Sequence, residues 1–346
     1  MKTYITLLVL MLMLTSCSGK VEVKKKNLIP LPKSASADAM KWIPGKYLLA
    51  GISEKTGSIF TLDVSSGKTK RLAELSNSKS TNDLFQKLCI FPDGRKIAYT
   101  DSGSLVFLEI ESGKIKRIRT EGNPVFVCAS PDSRFLAYAS PKGVFIITLE
   151  GTGNRLLSKD PALFLQWSPD GKKIAYVKQP EGKVKIYSVE GEKLKSFTDG
   201  AQGLLWHPDS KKLLVAKALE FGIADAEEGS YFRLAYFTTL PNPAGTADST
   251  WLSLSPDGSK VAYNFGELNP QLEKNDKGKE EKVYYQENSD IYVLDLKSGK
   301  AVNVTGTPDD WELYPEYSWD GNYIFCYRKR QSGKDYVLTP MLIDMR

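Results

Sequence analysis

Side chains able to do covalent, acid–base or metal chemistry are few in this 346-residue chain: one histidine, His207, and four cysteines, Cys17, Cys89, Cys128 and Cys326. Hydrolytic triads and zinc sites draw on histidine, usually more than one. His207 stands in His207-Pro208-Asp209-Ser210, a turn-like string. The chain has no Gly-x-Ser-x-Gly elbow and no EF-hand string. Carboxylates are the remaining candidates. Asp93, Asp132, Asp170, Asp209, Asp257 and Asp320 recur in one context. They suit either a calcium array or turns capped by the Asp side chain, and the Gly or Ser after each favours turns. In Thr307-Pro308-Asp309-Asp310-Trp311-Glu312-Leu313-Tyr314, acids are set among aromatic groups of the kind that anchor protein interfaces. Tyr284 and Tyr285 close a mixed-charge insertion, where they read as a partner contact or as the start of a long strand. The chemistry these residues offer is recognition: Asp309, Asp310, Trp311, Glu312, Tyr314, Tyr284 and Tyr285 are candidate partner-binding residues. No catalytic residue, metal or cofactor is expected.

The elements that must position them follow from a repeat. Ser168-Pro169-Asp170-Gly171-Lys172-Lys173-Ile174-Ala175-Tyr176 recurs from Phe91, Ser130, His207 and Ser255, with degenerate copies at Ser318 and Ile43. The anchor positions 44, 92, 131, 169, 208, 256 and 319 are 48, 39, 38, 39, 48 and 63 residues apart. A period near forty with strand–turn–strand patterning and no long helical period predicts an all-β fold, a single β-propeller. Seven four-stranded blades are expected, six being the alternative. The last copy leaves too little chain for a full blade, and Asn27-Leu28-Ile29-Pro30-Leu31 is the predicted closing strand, its proline suited to an edge.

Pro-Asp-Gly and Ser-Gly-Lys turns fall on one face of such a disc. The length variation, 74–85, 238–250, 264–289 and 305–316, falls on the other, which makes that face the predicted binding surface. A glycan-binding or carbohydrate-active site of carboxylates and aromatics at the channel mouth is the alternative, although propeller lyases resembling oligogalacturonate lyase use several histidines. Cys89 and Cys128 each lie three residues before an anchor and read as two small thiols, a disulfide being the alternative.

The N-terminus reads as export. Lys2 precedes the apolar run Ile5–Leu14, about half of the roughly 20 residues a bilayer span needs. Leu14-Thr15-Ser16-Cys17 resembles the bacterial lipobox, which implies a signal peptide over 1–16, lipidation of Cys17 and a tether over 17–38 ahead of a propeller over 39–346. Ser18 in place of Asp favours the outer membrane, facing the periplasm or the surface. The formal charge of +6 is dispersed and of mixed sign, so no nucleic-acid partner is expected; Lys24-Lys25-Lys26 is a solvated spacer or a headgroup contact.

The Ser-Pro-Asp-Gly-Lys-x-Ile-Ala-Tyr string resembles the TolB-like, WD40-like repeats of bacterial envelope proteins, over residues 40–346. The resemblance implies an envelope propeller with protein partners. TolB itself carries an α/β domain before its propeller, where this chain has about twenty residues between Cys17 and the first repeat. The expectation is thus a non-catalytic, lipid-anchored scaffold that binds an envelope protein or complex.

Overall fold

The computed structural model describes residues 22–23, 26–32, 39–53, 56–76, 88–218, 220–236, 252–266, 268–274, 280–286, 288–307, 310–332 and 335–346. Cys17, Lys24, Lys25 and Asp309 lie outside the described residues. Every described element is a β-strand, and seven four-stranded antiparallel blades form a ring. Blade four shows the pattern: Ala162–Trp167 innermost, then Lys173–Lys178, Lys183–Ser188 and Lys193–Phe197 at the rim.

The repeat's Ile-Ala-Tyr-Val alternation builds the core. Successive side chains of a strand point to opposite faces. Ile174 and Tyr176 therefore pack toward blade three, with Phe126, Ile146 and Leu165, while Ala175 and Val177 pack toward blade five, with Leu204, Leu213 and Val215. Each of the seven seams between blades has its own apolar cluster. Burying one such large side chain is worth roughly 1.5–3 kcal/mol, so the ring is held by its seams.

The ring closes as expected. Blade seven has three strands from the end of the chain, Trp311–Tyr317, Tyr323–Ser332 and Asp335–Asp344, and its rim strand is Leu28–Pro30, antiparallel to Met341–Ile343. Pro30, which has no N–H to donate, ends this edge strand. One feature was not legible in the repeat: Glu22–Val23 runs parallel to Ala301–Asn303, as a fifth strand on blade six.

On the innermost strands of blades two, four, six and seven, the side chain three residues before the anchor reaches the next blade. Glu316, Cys89, Gln166 and Ser253 receive the backbone N–H of Trp42 (3.2 Å), Ala129 (3.1 Å), Trp206 (3.3 Å) and Tyr317 (2.8 Å). Lys41 and Leu205, the equivalents in blades one and five, have no acceptor to offer. Cys89 and Cys128 are both thiols, and burial pushes Cys128 up to about 12, far from reactive. Cys326, in the repeat's Tyr position, is buried core.

Candidate interaction face

The antiparallel order of each blade places first-to-second and third-to-fourth turns on one face and second-to-third turns and blade connections on the other.

The first face is uniform and internally satisfied. Asp257 accepts the Ser255 hydroxyl at 2.6 Å and the Ser259 N–H at 3.0 Å, and the Ser255 hydrogen bond, followed by those from Ser259, holds its carboxyl at about 2. Asp132, Asp170 and Asp320 accept from Ser130, Ser168 and Ser318 in the same way. These carboxylates cap turns, and among the described residues no group of three or more His, Cys, Asp or Glu is placed to hold a metal ion. His207 is a tie between blades: its Nε2 lies 3.1 Å from the Gly258 carbonyl and its Nδ1 receives the Asp209 N–H at 3.3 Å. Gly258 has φ +74°, and a Cβ there would meet His207 Nε2 at 2.6 Å. Where the repeat has Ser in place of Gly, at Ser133 and Ser210, the residue keeps φ 57° and its hydroxyl receives the Asp93 or Asp170 N–H of a neighbouring blade. A cavity of about 610 Å³ opens at this face between blades three and four, beside Asp132, Arg155, Trp167 and Asp170.

The second face carries the irregular chain. In blade six, an added hairpin, Leu268–Lys274 with Glu280–Gln286, separates the second strand, Lys260–Phe265, from the third, Asp290–Asp295. In blade seven the second and third strands are ten residues long, against six elsewhere, and stay paired from Tyr323 with Asp344 to Ser332 with Asp335.

The sequence-predicted residues divide here. The connection expected over 305–316 is shorter than that: Trp311–Tyr317 is the innermost strand of blade seven. Its buried apolar residues Leu313, Pro315 and Tyr317 fall on alternate positions, and the longer second strand supplies partners up to Trp311, paired with Lys329. Asp310, Trp311, Glu312 and Tyr314 are thus brought together at one strand end. Tyr284 and Tyr285 are not part of that cluster; they lie on the second strand of the added hairpin, opposite Pro270 and Asn269, and do not begin the blade's third strand.

At the strand end, charges are matched in pairs. Arg330 grips Asp310 through Nε and Nη2, both at 2.6 Å, a bidentate contact. That hydrogen bond holds the Asp310 carboxyl below its usual range. Glu312 is 0% exposed, with Arg328 Nε at 2.8 Å and Thr307 Oγ1 at 2.6 Å; burial pushes its carboxyl up, against both hydrogen bonds. Asp290 straps the connection by accepting from Asn303 Nδ2 (2.9 Å), Thr305 Oγ1 (2.8 Å) and the Thr307 N–H (2.9 Å). Outside this buried network, the Lys329 ammonium lies 4.7 Å from the Trp311 ring centre and 4.2 Å from that of Tyr336. Tyr336, Val337 and Leu338 are 61%, 49% and 37% exposed. Tyr314 turns inward at a bulge, with φ 59°, edge-on to Tyr327.

This arrangement is suited to recognition. Asp310 and Glu312 are paired with guanidinium groups, and what the arrangement presents outward is a Trp–Lys–Tyr stack beside exposed apolar side chains and Arg330. Sequence reasoning missed Arg328, Lys329, Arg330 and Tyr336. No period in the sequence marks them, since Tyr323–Tyr327 is an apolar run and Arg328–Ser332 a polar one, and only the observed pairing of both halves with Asp335–Asp344 shows a single ten-residue strand.

No family model matches the chain. Two curated proteins named Dipeptidyl-peptidase 5 are similar: that of Porphyromonas gingivalis is 22% identical over 275 residues, 62% of this chain and 38% of the relative, and that of Porphyromonas endodontalis 22% over 249 residues, 58% and 35%. The chain spans under two fifths of the length of these relatives. Among solved structures, the β-propeller domain of Cps50 (Swd1) from Myceliophteria thermophila matches with a TM-score of 0.66 at 13% identity, covering 92% of this chain and 100% of that one. A chain of the Mitotic Checkpoint Complex gives 0.61 at 13% identity, over 94% and 93%. At such identities the likeness establishes the fold alone, and the chain is a seven-bladed, WD40-like β-propeller.

Proposed function

We propose that this chain is a non-catalytic, lipid-anchored scaffold of a bacterial cell envelope, and that it binds a protein partner through the face built from the irregular parts of blades six and seven. The observation that carries the binding half is the asymmetry of the disc. One face spends its polar groups on its own turns; the other extends two hairpins and leaves Trp311, Lys329 and Tyr336 stacked beside exposed Val337 and Leu338. Aromatic and cationic groups on a rigid strand frame are the usual anchors of protein recognition. The solved neighbours support this use of the fold, since one is a chain of the Mitotic Checkpoint Complex.

Anchoring is supported by the lipobox-like Leu14-Thr15-Ser16-Cys17, and the envelope setting by the TolB-like repeat. The relatives named Dipeptidyl-peptidase 5 raise a peptidase reading. His207, the single histidine, spends one ring nitrogen on its own turn and the other on the neighbouring blade, and this argues for a binding propeller.

Two measurements test the proposal. Trp311→Ala with a shortened 266–288 segment should lower partner capture from detergent-solubilised envelopes at least several-fold while the melting temperature stays nearly unchanged; undiminished capture contradicts the assigned face. Cys17→Ala should move the protein from the membrane to the soluble fraction, and equal partition of the two forms contradicts anchoring.

A further inference from the structure

We infer that the anchored propeller stands on the rim of blade six, with the Lys297–Lys300 turn against an anionic lipid surface and blades two and three farthest from it. The inference rests on the reading of Cys17 as a lipid anchor and adds the orientation that this anchor imposes.

The N-terminal segment is pinned to the rim at successive points. Glu22 pairs with Val302 and Val23 with Asn303; the Lys26 N–H donates to the Val304 carbonyl at 3.0 Å; Lys26 Nζ reaches the carbonyl oxygens of Met345 and Arg346 at 3.4 and 3.2 Å; Leu28–Pro30 then completes blade seven. Cys17 is five residues before Glu22, so even a fully extended chain keeps the two within about 17 Å. A domain of this size is about 50 Å across, and such a tether cannot carry the anchor to the opposite rim. Pairing with Ala301–Asn303 is parallel, so Glu22 is the end of the pair nearer the start of that strand, where the Lys297–Lys300 turn stands.

The chemistry of that turn fits a headgroup layer. Lys297 and Lys300 are exposed, and no described carboxylate pairs with either. The nearby Asp295 carboxylate instead accepts the N–H groups of Lys297 (3.1 Å) and Ser298 (2.7 Å) and the Ser298 hydroxyl (2.9 Å). Ammonium groups so placed are attracted by anionic lipid. This stance leaves the hairpin face of blades six and seven open to the aqueous side.

Quasi-symmetry supplies the control. Ser298 and Ser112 occupy the same position of the third-to-fourth turn, in blades six and two, and both are exposed. Ser298→Cys and Ser112→Cys, each labelled with bimane in the acylated full chain and placed in vesicles of phosphatidylethanolamine and phosphatidylglycerol, should differ: bromolipid should quench the label at 298 at least twofold and leave that at 112 unchanged. Equal quenching, or stronger quenching at 112, overturns the orientation. Photoactivatable headgroup lipid on the unsubstituted protein gives the same comparison without substitution, with adducts expected over 297–303 and none over 111–117; adducts at both overturn it. An absence of acyl mass on Cys17 removes the anchor reading itself, an outcome separate from acylated protein standing the wrong way.

Discussion

Glu316 and Glu312 sit in the same strand of blade seven and pose two different electrostatic problems. Glu316 points toward the axis, accepts the Trp42 N–H and has Lys41 nearby, and burial pushes its carboxyl up to about 7. A carboxyl raised in the folded state stabilises fully below its ordinary range, and that contribution is lost as pH rises through about 7. The melting temperature should therefore fall between pH 5 and 8, and Glu316→Gln, which can still accept the Trp42 N–H, should flatten the profile and melt roughly 2–4 °C above the parent at pH 8. Scanning calorimetry across that range checks it; parallel profiles contradict it. Glu312 is paired, with Arg328 and Thr307. Glu312→Ala leaves the Arg328 charge buried without its main partner, and the loss should be about 3–5 kcal/mol in denaturant melts. The same substitution at exposed Glu111 should be nearly silent.

At the scale of elements, the strands of blades one to five were legible because each carries its own period-two pattern and its own turn chemistry, as in Lys173-Ile174-Ala175-Tyr176-Val177 behind Pro169-Asp170-Gly171. The closing strand was legible by counting, since the last copy runs out of chain. Two things were not. Glu22–Val23 joins blade six through parallel pairing, which leaves no mark in a two-residue segment. The innermost strand of blade seven resembles a connection in sequence because its acids and aromatics look like loop residues, and only the ten-residue neighbouring strand, which brings Arg328 and Arg330 to Asp310 and Glu312, makes burial of those acids tolerable. Removing residues 27–32 strips the rim strand from Met341–Ile343 and the Leu31 side chain from the cluster joining blades seven and one. The melting temperature should drop by at least several degrees with a broadened transition, and an unchanged melt would mean the ring does not depend on this closure.

The whole molecule is a ring of seven apolar seams in which the repeated chemistry is structural and the departures from repetition gather on one side. The Asp array, the single histidine and the paired thiols, the groups first singled out for chemistry, are turn caps, a tie between blades and channel-side hydrogen-bond partners. The proposed recognition surface is the blade-six and blade-seven face. Site-specific photo-crosslinking in intact envelopes tests that claim most directly, with a photoreactive residue placed in turn at Trp311, at Tyr336 and, on the opposite face, at Ser112. The account predicts the same crosslinked protein from Trp311 and Tyr336 and none from Ser112; equal crosslinking from Ser112, or none from either residue of the hairpin face, would contradict it.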